Sequence, residues 1–520
     1  MTLSRVLAVP ACLALLITGG LSVTTVATAA PDRAAAPSAD QAGKVGASRA
    51  EAREALDDAR AALSGDAAAG TDVTMALRDL WLLRGELTGA DRAAAARLLA
   101  RPATTQRACT ADNCYHWVTS GHDAVPSSDS DSDGIPNYVE QVMTTVDGVH
   151  DTYVAAGYRE PKPDGVEGGD AKTDIYLEDV SDEGAYGYCT SDMPSTDPPV
   201  YDAWAYCVLD NDYSPDEFPT NTPLENLQVT AAHEYFHAVQ FGYDIGEDSW
   251  LMEATATWAE DELFDGVDDN LQYLSESQLI KPGVPLDTFN EAGAQYGNWI
   301  FIRFLTELFT ETAGDLPVLV REIWEWADGA SGAPDNYSMQ ALTRVLADRG
   351  TDVPEVYALF ATVNRAPSRW YEEGAANHYP ARGPADTVQL TRSKKDSGRG
   401  SATLKHLTSM TVRFVPGRGL TSTAWKLRVT LDLPDAATGS AAVVTVYPKS
   451  GAPQVTPVSL SASGAGASKV AFGSKKVRYV EVTLVNAGTR YDCWTQGDYS
   501  CQGSSLDDGR TVQLRATATK

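Results

Sequence analysis

The spacing of apolar residues changes near residue 381, and this change limits the architectures that the chain can adopt. Residues 108–380 alternate runs typical of strands with runs typical of helices, which predicts a mixed α+β domain. In residues 381–520, apolar residues recur at every second position, and turns rich in Gly and Ser separate the runs. Five such runs span 410–415, 425–433, 442–447, 477–485 and 511–517. This pattern predicts a C-terminal antiparallel β-sandwich.

The charge of the chain changes at the same place. Residues 381–520 carry 19 Lys and Arg against 9 Asp and Glu, whereas residues 1–380 carry 22 against 62. The shift supports a domain boundary near residue 381. A chain with a formal net charge of −30 lacks the clustered basic side chains that nucleic acids require, so we expect no nucleic-acid partner. The basic domain suits weak contact with an acidic cell-wall polymer or, alternatively, a role confined to folding or secretion.

Residues 1–29 have the features of a secretory signal peptide. Arg5 is the only charged residue before an apolar run that extends to about residue 26. Small residues follow at 27–30, and we expect cleavage after Ala29 because Pro31 disfavours a cut one residue later. The alternative is a membrane anchor, which Gly19 and Gly20 disfavour. We therefore expect a secreted, extracellular protein without a transmembrane anchor after signal removal.

Residues 30–107 are expected to be largely helical. A lead-in rich in Ala and Asp precedes helical patterns at 50–63, 72–87 and 90–100, and Arg101-Pro102 ends the last of them. The segment resembles the pro-regions of secreted bacterial proteases, which implies a zymogen. The alternative is an ordinary helical subdomain that stays with the chain.

The cysteines indicate disulfide bonds. Six cysteines follow the signal peptide, and an even number in an exported chain favours disulfides over free thiols. Six cysteines allow 15 connectivities, but here they form three local pairs. A zinc site made of cysteines is disfavoured because no CxxC spacing occurs. The predicted disulfides are Cys109–Cys114, Cys189–Cys207 and Cys493–Cys501.

The motif His233-Glu234-Tyr235-Phe236-His237 has the strongest chemical implication. A helix is predicted over 223–241, because Thr222 can cap it, Pro223 suits its first turn and Glu225 completes a capping box. Histidines four residues apart on a helix face the same way and can bind one metal ion. Glu234 lies beside them, where it can take a proton from the water that such an ion activates. The alternative is a chance pair of core or surface histidines.

A second helix, predicted over 250–264, supplies a third candidate ligand. Glu253 lies sixteen residues after His237 among apolar neighbours, where an unpaired carboxylate is costly. Two His and one Glu with an open fourth position form a catalytic zinc site rather than a closed structural one. Glu260, Asp261 and Glu262 follow on this helix, and we expect them on its solvated side.

An HExxH motif followed on the next helix by Glu resembles the gluzincin group of zinc metalloproteases, the thermolysin-like arrangement. The segments AAHEYFHAVQFGYD, WLMEATATWAED and QYGNWIFIRFL are similar to those of a family of secreted bacterial metalloproteases. The resemblance covers residues 108–380 and implies a zincin-like catalytic domain. It implies His233, His237 and Glu253 as zinc ligands and Glu234 as the catalytic base. Met252 departs from the Asn that precedes the Glu in thermolysin, so the groups that orient the ligands are unassigned.

A hydrogen-bond donor for the developing oxyanion is also needed. Tyr296, which begins an aromatic run predicted to be helical over 296–311, and Tyr243 are the candidates. The alternative for each is packing in the core.

Residues 129–140 match the calcium loop of an EF-hand at every ligand position. A helix with apolar residues on one side is predicted directly after the loop, and no helix is predicted before it. Pro136 lacks the N–H that would pair with a partner hand. We therefore expect a single structural calcium site rather than a switch. The expected ligands are Asp129, Asp131, Asp133, Ile135 through its carbonyl, Asn137 and Glu140.

A second acidic cluster, residues 210–212, is expected to be a loop beside the cleft rather than a further ion site.

Taken together, these patterns predict a secreted zinc endopeptidase stabilised by calcium, with a protein or peptide as substrate. The alternative is a secreted surface-binding protein whose metal site is structural or inactive. The presence of Glu234 argues against that alternative, because a structural site has no need of this carboxylate.

Overall fold

The computed structural model describes residues 48–65, 72–194, 200–495 and 497–520. The predicted signal peptide lies outside these residues, as does the lead-in up to residue 47. The helices are α1 (Arg49–Ala62), α2 (Val73–Leu83), α3 (Gly89–Leu98), α4 (Asn137–Ala155), α5 (Pro223–Asp244), α6 (Ser249–Leu263), α7 (Ala294–Gly297), α8 (Trp299–Leu308), α9 (Val318–Trp326), α10 (Ser338–Asp348), α11 (Val353–Val363) and α12 (Pro367–Trp370).

A five-stranded mixed sheet lies in the region predicted to be α+β. Its strands are β1 (Gln106–Cys109), β2 (Asn113–Trp117), β3 (Thr173–Glu178), β4 (Gly187–Thr190) and β5 (Tyr206–Asp210). They lie in the order β1-β2-β3-β5-β4, with β2, β3 and β5 parallel and an antiparallel strand at each edge. Strand β1 crosses the boundary expected between residues 107 and 108, so the helical segment continues directly into the sheet.

Helices α5 and α6 pack against each other beside this sheet, and α5 contacts β4 and β5. Thr222 caps α5 through a capping box with Glu225, and Pro223 stands in the first turn. Nearly every residue of α5 after Asn226 is buried, because the helix lies between the sheet, α4 and α6. The predicted helix over 296–311 is divided at Asn298 into α7 and α8. A pair of two-residue strands, β6 (Thr312–Ala313) and β7 (Leu316–Pro317), leads into α9.

The C-terminal region forms two stacked sheets around a core of its own. The strands are β8 (Asp386–Leu390), β9 (Asp396–Leu404), β10 (Thr408–Pro416), β11 (Lys426–Asp432), β12 (Ser440–Pro448), β13 (Gln454–Pro457), β14 (Ala465–Ala471), β15 (Val477–Asn486), β16 (Tyr491–Asp492), β17 (Ser504–Ser505) and β18 (Arg510–Thr519). One sheet has the order β13-β12-β15-β10-β8 and the other β14-β11-β18-β9, while β16 and β17 pair separately.

Two details of these sheets differ from the prediction. Strand β8 pairs with β10 in parallel, so the first sheet is not wholly antiparallel. Strand β14 occupies residues 465–471, which overlap the stretch whose Gly and Ser content predicted a turn. Small residues suit this strand because it pairs at the edge of its sheet, where side chains have little to pack against.

The C-terminal sheets also share the core of the preceding region. Leu407, Val443 and Val485 belong to the same buried cluster as the helices and the mixed sheet. Helix α11 lies against β12 and β15. The charge boundary near residue 381 therefore separates two packed units, not two units joined by an open linker.

Three disulfide bonds join Cys109 to Cys114, Cys189 to Cys207 and Cys493 to Cys501, the pairs that their spacing predicted. Across the described ranges, none of the helices is both long and apolar enough to cross a bilayer.

Candidate metal centre

The two histidines of the motif lie on α5, and Glu253 lies on α6, which packs directly against it. Glu253 Oε2 is 3.2 Å from His233 Nε2, and Glu253 Oε1 is 3.2 Å from His237 Nε2. The candidate ligand atoms of the three residues all lie within 4.8 Å of one another. The structure thus brings together the three residues predicted as zinc ligands, from two helices.

The donor set fits a divalent ion such as zinc. His237 and Glu253 are fully buried, yet His237 Nε2 and Glu253 Oε1 face each other without any other hydrogen-bond partner. Burying two polar atoms without a partner costs free energy that coordination of a cation would offset. Burial raises the pKa of Glu253, but the adjacent His237 and His233 outweigh it and hold the pKa well below its usual range. Burial lowers the pKa values of both imidazoles, but Glu253 outweighs it and raises them, so a metal ion that bound here would displace their protons.

The other ring nitrogen of each histidine, Nδ1, makes a hydrogen bond that holds the ring in place. His233 Nδ1 lies 2.5 Å from Glu260 Oε1, and His237 Nδ1 lies 2.7 Å from Gln240 Oε1. Gln240 in turn donates to the carbonyl of Met252, which ties α5 to α6. Glu260 and Gln240 are thus the candidates for the orienting groups that the sequence left unassigned. Partners of this kind fix the ring orientation of a metal-binding histidine.

The expected solvent exposure of Glu260, Asp261 and Glu262 is wrong. Glu260 and Asp261 are buried, and Arg303 pairs with both Asp261 and Glu262. Glu260 follows Glu253 by seven residues, close to two helical turns, so both side chains face α5. That spacing is the signal that could have identified Glu260.

Glu234 is almost buried, at 7% exposure. Its carboxylate Oε2 accepts a hydrogen bond of 3.2 Å from Thr74 Oγ1, on α2. Burial raises the pKa of Glu234, while the neighbouring His233 and His237 act in the opposite direction. A raised pKa suits a carboxylate that must accept a proton and then release it near neutral pH.

Tyr296 lies next to the ligands, on the short helix α7. Its ring centroid is 6.3 Å from that of His233 and 5.0 Å from that of Tyr273, on which it stacks. The Tyr296 hydroxyl donates a 2.7 Å hydrogen bond to Oδ2 of Asp72, the N-cap residue of α2. Burial and the charge of Glu253 raise the pKa of Asp72 to about 7.

Tyr243, the other candidate donor, lies elsewhere. Its hydroxyl accepts a hydrogen bond from the backbone N–H of Arg159, and its ring packs near Trp324. Tyr243 therefore has the packing role that was its alternative.

Thr74 and Asp72 are two further site residues that the sequence did not indicate. Both belong to the helical N-terminal segment, and Thr74 precedes Glu234 by 160 residues. A contact over that separation leaves no trace in local spacing.

The predicted calcium loop brings three carboxylates together. Oxygen atoms of Asp129, Asp131 and Asp133 lie within 4.8 Å of one another. Asp129 accepts backbone N–H bonds from Ser132 and Gly134, which curl the loop around its carboxylate.

The other predicted calcium ligands lie around this group. Asn137 Oδ1 accepts from Ser130 N, and Ile135 precedes α4. Glu140 stands in the first turn of α4, where burial and the charges of Asp131, Asp133 and Asp129 raise its pKa. Mutual repulsion of this kind is what a bound cation would relieve.

The acidic cluster at 210–212 has backbone hydrogen-bond donors for its buried carboxylate. Asp210 and Asp212 lie close to Glu217, but the buried Asp210 accepts backbone N–H bonds from Val180, Asp212 and Tyr213. This agrees with a self-contained loop.

A comparison of the chain with protein-family models finds no match, and neither does a comparison with curated proteins. Among solved structures, the chain is similar in part to a family GH115 4-O-methyl-alpha-glucuronidase with specificity for decorated arabinogalactans. The TM-score is 0.15 at 10% identity, over 59% of this chain and 43% of that one. The chain thus spans less than half of that protein, and a likeness this low carries no argument.

Proposed function

We propose that this chain is a secreted zinc-dependent endopeptidase that calcium stabilises. One observation carries the proposal: two buried imidazoles and a buried carboxylate converge beside a second carboxylate, with His237 Nε2 and Glu253 Oε1 3.2 Å apart and without any other hydrogen-bond partner. The three disulfides support an oxidising, extracellular location.

His233, His237 and Glu253 would hold the zinc ion. Once bound, zinc would polarise the scissile carbonyl and lower the pKa of a water molecule. The Nδ1 atoms of His233 and His237 are hydrogen-bonded to Glu260 and Gln240, and these bonds keep the Nε2 atoms of both rings turned towards the ion.

Glu234 would carry the proton during peptide hydrolysis. Its carboxylate takes a proton from the water as the water oxygen bonds to the carbonyl carbon. It then gives that proton to the amide nitrogen as the C–N bond breaks. The Tyr296 hydroxyl, once free of Asp72, would donate to the oxygen on which negative charge develops.

Glu234→Gln tests the proposal. The variant should keep zinc, because the three ligands are unchanged, and should lose about 100-fold or more of casein hydrolysis, because the proton carrier is absent. Metal analysis and a casein assay, with and without chelator and added zinc, measure both effects. Glu167→Gln, at an exposed position, is the matched control. Full hydrolysis by Glu234→Gln, or hydrolysis that a chelator leaves unchanged, would refute the mechanism.

A further inference from the structure

The first turn of α2 makes direct contact with both groups proposed to act in hydrolysis. Thr74 Oγ1 donates to Glu234 Oε2 at 3.2 Å, and Asp72 Oδ2 accepts from the Tyr296 hydroxyl at 2.7 Å. Thr74 is 2% exposed. The proposed proton carrier and the proposed oxyanion donor therefore both have partners from the N-terminal segment.

Helix geometry holds these two side chains in place. Asp72 caps α2, since its Oδ1 accepts the backbone N–H of Met75 at 2.9 Å while its other oxygen faces Tyr296. Thr74 Oγ1 also accepts the backbone N–H of Cys189, on the edge strand β4. Asp72 is thus fixed by the cap of its own helix, and Thr74 joins α2 to both Glu234 and β4.

The rest of α2 anchors this turn firmly. Arg78 Nη1 donates to the carbonyl of Glu247, just before α6, and Trp81 Nε1 donates to the carbonyl of Met193. Val73, Leu77 and Leu80 are buried in the main core. The contact of Asp72 and Thr74 with the groups proposed to act in hydrolysis is therefore part of an extensive interface between α2 and the rest of the fold.

This interface closes the site. His237 and Glu253 are fully buried, Glu234 is 7% exposed and the His233 side chain is 12% exposed. An endopeptidase must admit a polypeptide to these atoms, and the first turn of α2 stands against the groups that would act on it. The only hydroxyl proton of Tyr296 is already donated to Asp72.

From this geometry we infer that the N-terminal segment, described at residues 48–65 and 72–98, is an intramolecular inhibitor that keeps the site latent through Asp72 and Thr74. The inference rests on the proposed function and adds its regulation. The two hydrogen bonds and the packing of α2 favour the closed state. Any event that lifts the first turn of α2 frees Glu234 and Tyr296 together and opens a path to the ligands.

The test uses the full-length, zinc-loaded chain and the probe Pro-Leu hydroxamate, which binds accessible zinc. Asp72→Ser and Thr74→Val are made singly and together. Ser preserves the helix cap but is too short to reach Tyr296 in the same way, and Val keeps the shape of Thr without its hydroxyl. Calorimetry measures hydroxamate affinity, and casein hydrolysis is followed in parallel.

The double variant should bind hydroxamate roughly tenfold more tightly than the unmodified chain, because two hydrogen bonds of the closed state are lost. Hydrolysis should rise with it. Thr74→Ser keeps a hydroxyl at this position. In contrast to Thr74→Val, it should bind hydroxamate as weakly as the unmodified chain does. Asp352→Ser is the matched control, since Asp352 caps α11 in the same manner, and it should change neither readout.

Each contrary result has a distinct meaning. Equal hydroxamate affinity in all zinc-loaded chains would refute latency and leave the proposed function intact. Weaker binding and slower hydrolysis in the variants would show that Asp72 and Thr74 belong to the working site, and would also overturn the inference. Absence of zinc from the unmodified chain would refute the proposed function, and the inhibitor with it.

Discussion

The N-terminal segment and the C-terminal β-domain both adjoin the helices that carry the candidate ligands, but they do so with different chemistry. The N-terminal segment meets Glu234 and Tyr296, the groups proposed to act in hydrolysis, through the hydroxyl of Thr74 and the carboxylate of Asp72. The C-terminal domain meets the start of α6 through buried charges: Asp248 accepts the backbone N–H of Cys501. One region lies against the groups proposed to react, and the other contacts the start of the helix that carries Glu253.

The C-terminal contact centres on Asp287, which precedes α7 in the chain. Its carboxylate accepts from His406 Nε2 at 2.9 Å, from the Tyr491 hydroxyl at 2.7 Å and from both N and Oγ of Ser500. Asp287 and His406 are both fully buried or nearly so. Losing Asp287 would leave a buried histidine without its charged partner, whereas losing Asp72 or Thr74 would remove hydrogen bonds while the apolar packing of α2 remains. The comparison indicates that the polar contacts of the N-terminal segment are individually weaker than those of the C-terminal domain.

The largest expected effect comes from breaking the C-terminal contact. Asp287→Ala should lower the free energy of unfolding by about 3–5 kcal/mol, because it leaves His406 buried without its main partner. Urea denaturation measures the change. Thr74→Val should cost less, about 1–3 kcal/mol, because it leaves the buried N–H of Cys189 without its partner. If the two variants were equally destabilised, the proposed difference between the regions would be wrong.

The next effect concerns α6, the helix that both regions adjoin. Glu253→Ala should weaken zinc binding by more than 100-fold, since it removes a ligand. Glu260→Ala should weaken it by about 10–100-fold, since it removes only the group that orients His233. Competition with a zinc-sensitive dye gives both affinities. A greater loss for Glu260→Ala would mean that the ligands are assigned wrongly.

Calcium should stabilise the fold through the loop at residues 129–140, independently of the N-terminal segment and the C-terminal β-domain. Binding at 100 times the dissociation constant should stabilise the fold by about 2.7 kcal/mol, provided that calcium binds the folded chain alone. The melting temperature should rise when calcium is added to protein stripped of the ion, and Asp131→Ala should abolish the rise. Asp151→Ala, at an exposed position, should not. Identical melting curves with and without calcium would reduce the loop to an acidic turn.

The smallest effect is the pH dependence of the C-terminal contact. Burial lowers the pKa of His406, but Asp287 and Asp508 outweigh it and raise the pKa above its ordinary value. The stabilisation is therefore complete below about pH 6.5, the ordinary pKa of histidine, and is lost as the pH rises through the folded-state pKa. His406→Asn should destabilise less at alkaline pH than at pH 6, as measured by urea unfolding. His122→Asn, whose side chain is 64% exposed, is the control, and an equal loss at both pH values would contradict the charge assignment.

Local patterns were enough to predict the part of the site that lies on two adjacent helices. The spacing of His233 and His237 and the capping residues placed α5, and the apolar setting of Glu253 identified it as a candidate ligand. A run of three acidic residues is usually exposed, and on that ground the sequence predicts Glu260 in solvent. Its seven-residue separation from Glu253 nevertheless places both side chains on one face of α6. The closing contact could not be predicted, because Thr74 and Glu234 are 160 residues apart.

The same distinction applies to the fold. Strands with alternating Val and Leu, such as β15, were evident from their period. Strand β14 was not predicted, because its Gly, Ala and Ser residues give no alternation of apolar and polar residues. The parallel pairing of β8 with β10 depends on contacts that no local pattern encodes. The role of Asp287 was equally hidden, because its partners come from the C-terminal domain.

The central claim is that His233, His237 and Glu253 together hold one catalytic ion. Anomalous diffraction at the zinc absorption edge, on crystals of the full-length chain grown with zinc, tests it most directly. The account predicts a strong peak in contact with His233 Nε2, His237 Nε2 and the carboxylate of Glu253, lost in His237→Ala. A zinc peak elsewhere, or no peak between these three side chains, would contradict it.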